Sequence, residues 1–286
     1  MRRWHTLRNV ASACVLMAAA SLASAAEVVV FHADSLAGPM RALKQAFEAK
    51  NASTTLVLNP GVSKDLAARI VKGEVCDVFA PSSPAVIEQD LMGRKVADTD
   101  KDAATWYVVF SANEMVVITA RGNPLGLRQA SDLARNEVKL ARVTGANDLA
   151  TGRTIEFLKR ATMQEGRPDL AQKIIDAAPA DPAKPTTVPE TVGAVKEGRA
   201  NAGIVYYSAA IAAKNDVEII RFAEGVNLSE TIRNAATVPG TARNAAEATA
   251  FVRFLVSPEA QAILRNTGQP PIAPPIRKGP VPAGIE

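Results

Sequence analysis

The chain has very few of the residues that build metal sites and thiol chemistry. Its 286 residues include two histidines and two cysteines. Beyond position 26 only His32 and Cys76 remain. One histidine and one cysteine are too few ligands for a zinc site, and a single cysteine cannot form an internal disulfide. We therefore expect no metal held as a cation, no cofactor, and a fold that depends on its hydrophobic core.

A hydrophobic run long enough to anchor the chain in a bilayer is also missing. Residues 1–26 contain three arginines near the start, an apolar stretch from Val10 to Ala20, and the small-residue segment Ala23–Ala25. That stretch is shorter than the ~18 apolar residues that a transmembrane helix needs. The pattern is typical of a signal peptide, which we expect to be removed near Ala25 or Ala26. We predict an exported protein of the periplasm.

The sequence beyond residue 26 also lacks a marked excess of charge of either sign. Removal of residues 1–26 takes away three arginines and no acid, so the 33 Lys and Arg residues fall to 30, against 29 Asp and Glu. The mature sequence has no run of basic residues. A nearly neutral surface argues against nucleic acid as the main partner. We expect a monomer that binds a small molecule.

The sequence does contain a strand pattern that leads directly into a serine at a helix start. Val28–Phe31 is typical of a strand buried on both faces, and apolar residues follow at helical spacing from Met40 to Phe47. Ser35 falls at the junction. There its hydroxyl and the free N–H groups of the first helical turn can converge on an anionic oxygen. An ordinary helix N-cap is the alternative interpretation.

The same order of elements recurs further along the chain. A strand over 56–58 precedes Ser63 and a helix over 64–72, and a third strand follows over 73–80. This rhythm predicts parallel strands with helical crossovers, and ligands beyond the carboxyl ends of the strands. Further predicted elements are a strand pair over 106–110 and 115–118, strands over 138–143, 203–206, 219–222 and 233–238, helices over 153–163, 190–197 and 245–264, and an extended surface tail from Pro270.

His32 and Ser35 are close enough in sequence to suggest a nucleophile and its base. Successive strand and turn residues project differently, however, and no third orienting carboxylate is identifiable. We therefore expect no enzyme, and interpret His32 as a hydrogen-bonded residue at a strand end. A secreted hydrolase that uses Ser35 stays as a third hypothesis, and it predicts turnover of an ester or phosphate substrate.

In their order and spacing, several short segments resemble the periplasmic molybdate/tungstate-binding proteins of ABC importers. They are Phe31–Leu36, Ser63–Ile70 followed by Gly73 and Cys76–Phe79, Ala112–Glu114, Ala150–Arg153, Glu197–Tyr206 and Ser257–Gln261. The resemblance covers about 28–268. It implies an α/β fold, a two-lobed clamp of the type 2 periplasmic binding class. Each lobe is then a mostly parallel sheet flanked by helices, with two hinge crossings. Lobe I comprises 27–112 and 234–286, and lobe II comprises 113–233.

The resemblance also implies a set of ligand-binding residues. They are Ser35, Ser63, Thr151, Val188 and Tyr206. In the family the two serines donate hydroxyls, Thr151 and Val188 occupy backbone-donor positions, and the tyrosine hydroxyl reaches the ligand. Each has a plainer alternative in capping, loop structure or packing, and Tyr207 can exchange roles with its neighbour.

Such neutral donors hold a tetrahedral dianion through charge-assisted hydrogen bonds. The resemblance therefore implies molybdate or tungstate as the ligand, so that the metal is bound as an oxyanion, and an ABC transporter membrane permease as the partner. Discrimination against the smaller sulfate would depend on cavity size. The second hypothesis is the same clamp with another anion, such as sulfate, phosphate or a small carboxylate.

One branch of the family adds two carboxylates that expand the coordination of the metal. At those positions this chain has Leu149 and Val188. Neither side chain can be a ligand, which favours tetrahedral, hydrogen-bonded recognition. Asp148 and Glu190 lie close by in sequence, so they are kept as residues near the site.

Asp34 is a second departure from the family's pattern, because that branch usually has glycine there. An ionised carboxylate beside a dianion repels it unless the side chain turns away or pairs with Lys64 or Arg153. Either of these two cations would also suit a different anion. The residues expected around the ligand set are Asp34, Lys64, Asp148, Arg153 and Glu190.

Overall fold

A computed structural model describes residues 25–285 of the chain. Nearly all of the predicted signal peptide lies outside these residues. The strands are β1 (Ala26–Ala33), β2 (Thr54–Gly61), β3 (Val78–Ala80), β4 (Tyr107–Ala112), β5 (Met115–Ala120), β6 (Leu140–Arg142), β7 (Ala202–Tyr206), β8 (Val217–Ile220), β9 (Arg233–Ala236) and β10 (Pro271–Lys278).

The helices alternate with the strands over residues 26–90, as the periodicity predicts. They are α1 (Ala37–Lys50), α2 (Ser63–Val71), α3 (Pro84–Asp90), α4 (Leu149–Gln164), α5 (Leu170–Ala177), α6 (Val188–Lys196), α7 (Tyr207–Ala212), α8 (Ala245–Leu255) and α9 (Pro258–Asn266). Two short 3-10 turns cover Asp34–Leu36 and Ala130–Ala134. None of the helices within 25–285 is long and apolar enough to cross a membrane.

Two sheets form the part of the molecule that we call lobe I. One is parallel with strand order β2-β1-β3, and the other is antiparallel with order β10-β4-β9. Val28 and Val30 of β1 are fully buried, because α1 and α8 cover this sheet. The consequence is that the carboxyl end of β1 delivers the 3-10 turn to the edge of the lobe.

A four-stranded sheet with order β6-β7-β5-β8 forms lobe II. Strand β6 runs parallel to β7, and β5 runs antiparallel to both β7 and β8. Its core includes Phe157 of α4 and Val188 of α6. This packing holds the N-terminal ends of α4 and α6 at the face that meets lobe I.

The prediction that 106–110 and 115–118 pair with each other is wrong. β4 pairs with β9 and β10, whereas β5 pairs with β7 and β8, so the two strands lie in different lobes. The short link between them is one of two chain crossings, and the Asn113 N–H donates to the Ile232 carbonyl of the other crossing at 3.4 Å. A hinge and a hairpin turn need a similar number of residues, which is why the spacing misled.

The C-terminal region also differs from its prediction. The single helix expected over 245–264 is two helices, because Ser257 caps α9 and Pro258 occupies its first turn. Proline cannot continue the hydrogen-bonding of α8. The tail from Pro270 is extended and largely exposed, as expected, and its residues 271–278 form β10 against β4.

Cys76 is the one cysteine within 25–285, and it is fully buried in the core of lobe I. Its thiol donates to the Val78 carbonyl at 3.2 Å. Burial raises the pKa of the Cys76 thiol. Because the thiolate is the reactive form, this cysteine is inert in the folded protein.

Candidate functional site

A small cavity lies between the lobes, at the N-terminal ends of four helices. It is lined by Ala33, Asp34, Ser35, Gly61, Val62, Ser63, Ser82, Asp148, Val188 and Tyr206. The free space in it is about 10 Å³, close to what a single water needs. The lobes are therefore closed, and an oxyanion can enter only if the lobes part or a side chain moves.

Lobe I contributes two serine hydroxyls that are available to a ligand. Ser35 is 3% exposed, and its hydroxyl has no hydrogen-bond partner within 25–285. The Ser63 oxygen accepts the Ser82 N–H at 3.2 Å, which leaves the Ser63 proton free to donate. No side chain caps the 3-10 turn that carries Ser35, nor the start of α1 or α2. Hydroxyls and positive helix ends thus face the cavity together.

Two helices of lobe II, α4 and α6, have side-chain caps at their N-terminal ends, whereas α7, whose N-cap Tyr206 lines the cavity, has none. Asp148 Oδ1 accepts the Ala150 N–H at 2.9 Å. At α6, Glu190 Oε2 accepts the Thr187 N–H at 2.7 Å, and Thr187 Oγ1 accepts the Glu190 N–H at 3.4 Å. These bonds lower the pKa of Glu190, and they direct its carboxylate to Thr187, outside the cavity lining.

Arg153 crosses the cleft at the cavity. Its guanidinium donates from Nη1 to the Tyr206 hydroxyl at 2.7 Å and from Nη2 to the Ser82 carbonyl at 2.9 Å. A longer contact of 3.4 Å joins Nη1 to the Ser82 hydroxyl. Arg153 and Tyr206 belong to lobe II and Ser82 to lobe I, so these bonds, which we call the Arg153 bridge, hold the lobes together.

Asp34 lines the cavity with a half-buried side chain. Burial and the nearby carboxylates of Asp148 and Glu190 raise its pKa to about 6. Of the two ways to neutralise it that the sequence left, pairing is not found, because within 25–285 no ion pair joins it to Lys64 or Arg153. Asp34 also borders a second cavity, whose lining includes Arg41 and Lys196. Lys64 is exposed on α2.

Of the five residues implied as ligands, four come together in the lining: Ser35, Ser63, Val188 and Tyr206. Thr151 lies outside it. Its N–H donates to the Asp148 carbonyl at 3.0 Å and its hydroxyl to the Gly145 carbonyl at 2.7 Å. Leu149 packs against the lobe I core, and Tyr207 lies beneath the Arg221 guanidinium.

Sequence reasoning missed the part played by two further serines. Ser82 follows β3 as Ser35 follows β1, so the repeated strand-to-serine pattern was the available signal. Ser208 has the same signal, because it stands two residues after the end of β7, as Ser35 does after β1 and Ser82 after β3. It lies in the first turn of α7, donates to the Ser35 carbonyl at 2.6 Å and accepts from Asn113 Nδ2 at 2.9 Å. These two bonds connect the 3-10 turn that carries Ser35 to Asn113, in the link between β4 and β5.

A nucleophile and base are not assembled at this site. His32 Nδ1 contacts the Ala33 carbonyl at 2.9 Å, and no hydrogen bond joins His32 to Ser35 within 25–285. Burial lowers the pKa of His32 to about 4. Within the same residues, no cluster of His, Cys, Asp and Glu side chains has the geometry to hold a metal ion.

Comparisons with known proteins agree on the class of fold. A sequence model of the family described as bacterial extracellular solute-binding protein matches residues 28–269. The molybdate-binding protein ModA of Mycobacterium tuberculosis is 25% identical over 244 residues, which cover 85% of this chain and 84% of that protein.

Two solved structures resemble the whole two-lobed body. The substrate binding domain of a putative molybdenum ABC transporter from Clostridium difficile aligns with a TM-score of 0.58 at 22% identity, over 86% of this chain and 99% of that one. The sulfate-binding protein SubI from Mycobacterium tuberculosis aligns with a TM-score of 0.65 at 16% identity, over 87% and 88%. The predicted type 2 periplasmic binding clamp is confirmed.

Proposed function

The chain belongs to the bacterial extracellular solute-binding proteins, and from this membership we propose that it captures molybdate or tungstate between its lobes and delivers the ion to an ABC importer. The observation that carries the proposal is the buried, unpartnered Ser35 hydroxyl beside that of Ser63. Molybdate-binding relatives support the choice of ion. The coarser conclusion, a solute-binding protein of the ABC-importer type, follows from the family itself.

The donors at the cavity suit a tetrahedral dianion. Hydrogen bonds to a charged group contribute about 1.5–3 kcal/mol each. A net binding free energy of ~8 kcal/mol corresponds to a Kd of ~1 μM. A few hydroxyl and backbone donors on lobe I, with the Arg153 bridge closing from lobe II, are therefore enough for micromolar capture after the costs of association.

Arg153 favours a second candidate, the same clamp with sulfate, phosphate or a small carboxylate. A guanidinium presents a planar fork that binds carboxylates and phosphates through two parallel hydrogen bonds. Arg153 does not line the cavity, but it contacts the lining residues Tyr206 and Ser82, so the fork lies next to the cavity. An anion that uses both Nη atoms would replace the bonds that Arg153 makes to Tyr206 and Ser82.

Calorimetric titration of the ligand-stripped mature protein with molybdate, tungstate, sulfate and phosphate in parallel tests the proposal. We expect one-to-one binding of molybdate and tungstate with Kd values of about 1 μM or lower, and at least tenfold weaker binding of the other two. Tighter binding of sulfate or phosphate would keep the clamp and overturn the ion. Turnover of a nitrophenyl ester or nitrophenyl phosphate, lost in Ser35→Ala, would support the hydrolase instead.

Export is part of the proposal. N-terminal sequencing of the protein recovered from the periplasm checks it, and we expect a first residue at or just after Ala26. An unprocessed N-terminus on a cytoplasmic protein would contradict export.

A further inference from the structure

Asp34 lines a cavity whose other lining residues include several anion donors and one further carboxylate, Asp148. Its neighbours in the lining include Ser35 and Ser63, whose hydroxyls are placed to donate. Within 25–285 no side-chain hydrogen bond reaches the Asp34 carboxylate. A carboxylate in such a position either repels the ligand or carries a proton when the ligand is bound.

Charged groups surround Asp34 on every element packed near it. They are His32 on β1, Arg41 on α1, Lys64 and Asp65 on α2, Asp148 and Arg153 at the start of α4, and Glu190, Lys196 and Glu197 on α6. His32 is buried and neutral near pH 7, since burial holds its pKa near 4. Arg41, Lys64 and Lys196 are exposed to solvent, which screens their charge.

The two groups that act most directly on Asp34 are carboxylates. Asp148 lines the same cavity, and Glu190 lies one turn into α6. Both raise the pKa of Asp34. The positive charge of Arg153 is engaged with Tyr206 and Ser82. A dianion that enters this cavity adds a further negative group, so it disfavours the ionised form of Asp34 still more.

We propose that the clamp captures its oxyanion together with one proton, which the Asp34 carboxyl donates in a hydrogen bond to an oxygen of the bound anion. The inference rests on the proposed function. Above the pKa of Asp34 the proton is taken from solvent as the anion enters, and it returns to solvent when the anion leaves. An anion that already carries a proton, such as hydrogen phosphate, can instead donate to the Asp34 carboxylate without uptake.

The sign of the pH dependence follows. Near pH 5 Asp34 is already protonated in the free protein, so the affinity for a dianion does not change with pH. Well above pH 6 each bound dianion takes up one proton, and the affinity falls by up to about tenfold for each pH unit. Asp34 is thereby a specificity-determining residue as well as a proton carrier.

Titration with molybdate at several pH values, in two buffers of different ionisation enthalpy, counts the protons taken up. The wild type, Asp34→Asn and Asp65→Asn are compared between about pH 5.5 and about pH 8. Asp65 is the matched control, because it is an exposed carboxylate of α2 at the same cleft that already accepts from Asn147 Nδ2 at 2.9 Å. Any proton carried by molybdate itself is counted in Asp34→Asn.

We expect the wild type and Asp65→Asn to take up close to one proton per anion near pH 7.5, with a Kd that rises about tenfold per pH unit. Asp34→Asn should take up none and keep a flat profile. A flat wild-type profile without uptake, or an unchanged slope in Asp34→Asn, overturns the inference alone. Absence of molybdate binding by the wild type at every pH overturns both the inference and the proposed function.

Discussion

The helix N-termini on the two walls of the cleft differ in their side-chain caps. On the lobe I wall, α1 and α2 begin without a side-chain cap. Elsewhere in lobe I, Ser83 caps α3 and Ser257 caps α9, whereas α8 also begins without a side-chain cap. An uncapped helix end leaves backbone N–H groups for another acceptor, and a bound anion is such an acceptor.

On the lobe II wall, the corresponding groups are already satisfied. Asp148 caps α4, Thr187 and Glu190 cap α6, and the Tyr206 hydroxyl accepts from Arg153. The difference indicates a division of roles. We predict that lobe I holds the anion and that lobe II closes over it by exchanging bonds that it already makes. The lobe bounds at 112/113 and 233/234 stay a prediction of the sequence.

The largest effect should come from the lobe I serines. Ser35→Ala and Ser63→Ala each remove a donor to a charged ligand, so we expect each to raise the Kd for molybdate by about 10- to 100-fold, and the double variant by more. Ser257→Ala, which removes the cap of α9 away from the cavity, is the matched control and should leave the Kd unchanged. Equal losses in Ser257→Ala would mean that the serines act only through folding.

The next effect concerns the bridge between the walls. Arg153→Gln removes the charge that joins Tyr206 to Ser82, so we expect the ligand-free protein to open and the Kd to rise about tenfold. Small-angle X-ray scattering of the ligand-free protein should report a larger radius of gyration. Arg160→Gln, on the solvent side of the same helix, should change neither quantity. An unchanged radius in Arg153→Gln would argue against the bridge.

A smaller effect is expected from the tyrosine of lobe II. Tyr206→Phe keeps the buried ring and removes a hydroxyl that already accepts from Arg153. Loss of one such bond is worth about 0.5–1.5 kcal/mol, so the Kd should rise by only about two- to tenfold. Calorimetric titration of Tyr206→Phe and Ser35→Ala with molybdate compares the two Kd values. A loss in Tyr206→Phe as large as that in Ser35→Ala would contradict the division of roles.

The smallest effect on binding should follow from the lobe II caps. Thr187→Ala breaks the reciprocal bonds with Glu190, so we expect it to lower the free energy of unfolding by about 1 kcal/mol. The Kd for molybdate should stay within about twofold, because neither Thr187 nor the Glu190 side chain that it contacts lines the cavity. Urea unfolding and calorimetry on one preparation separate the two quantities. A tenfold change in Kd would place this cap at the ligand.

Local patterns account for the parts of the site that were predicted. Ser35 and Ser63 each follow a strand and stand at the start of a helical segment, and both properties can be recognised within about a dozen residues. The parallel order of β1, β2 and β3 follows from the same rhythm. In contrast, the break between α8 and α9 at Ser257 and Pro258 was hidden by continuous apolar periodicity on either side of it.

Contacts between distant segments account for what was missed. Arg153 was expected near the ligand, but its partners Ser82 and Tyr206 lie 71 and 53 residues away in sequence. No local pattern specifies such a bridge. The lack of an ion pair between Asp34 and Lys64 or Arg153 within 25–285 is likewise a property of the assembled cleft, which the spacing of residues in the sequence does not specify.

Cys76 is a natural probe of the unfolding of lobe I. A thiol that is inert while lobe I is folded reacts with an alkylating reagent only after that lobe unfolds around it. The rate of labelling therefore reads the opening of lobe I directly, without an introduced probe. Since the anion is expected to bind to lobe I, it should slow the alkylation of Cys76. The slower labelling would report ligand occupancy in a mixture where calorimetry cannot be used.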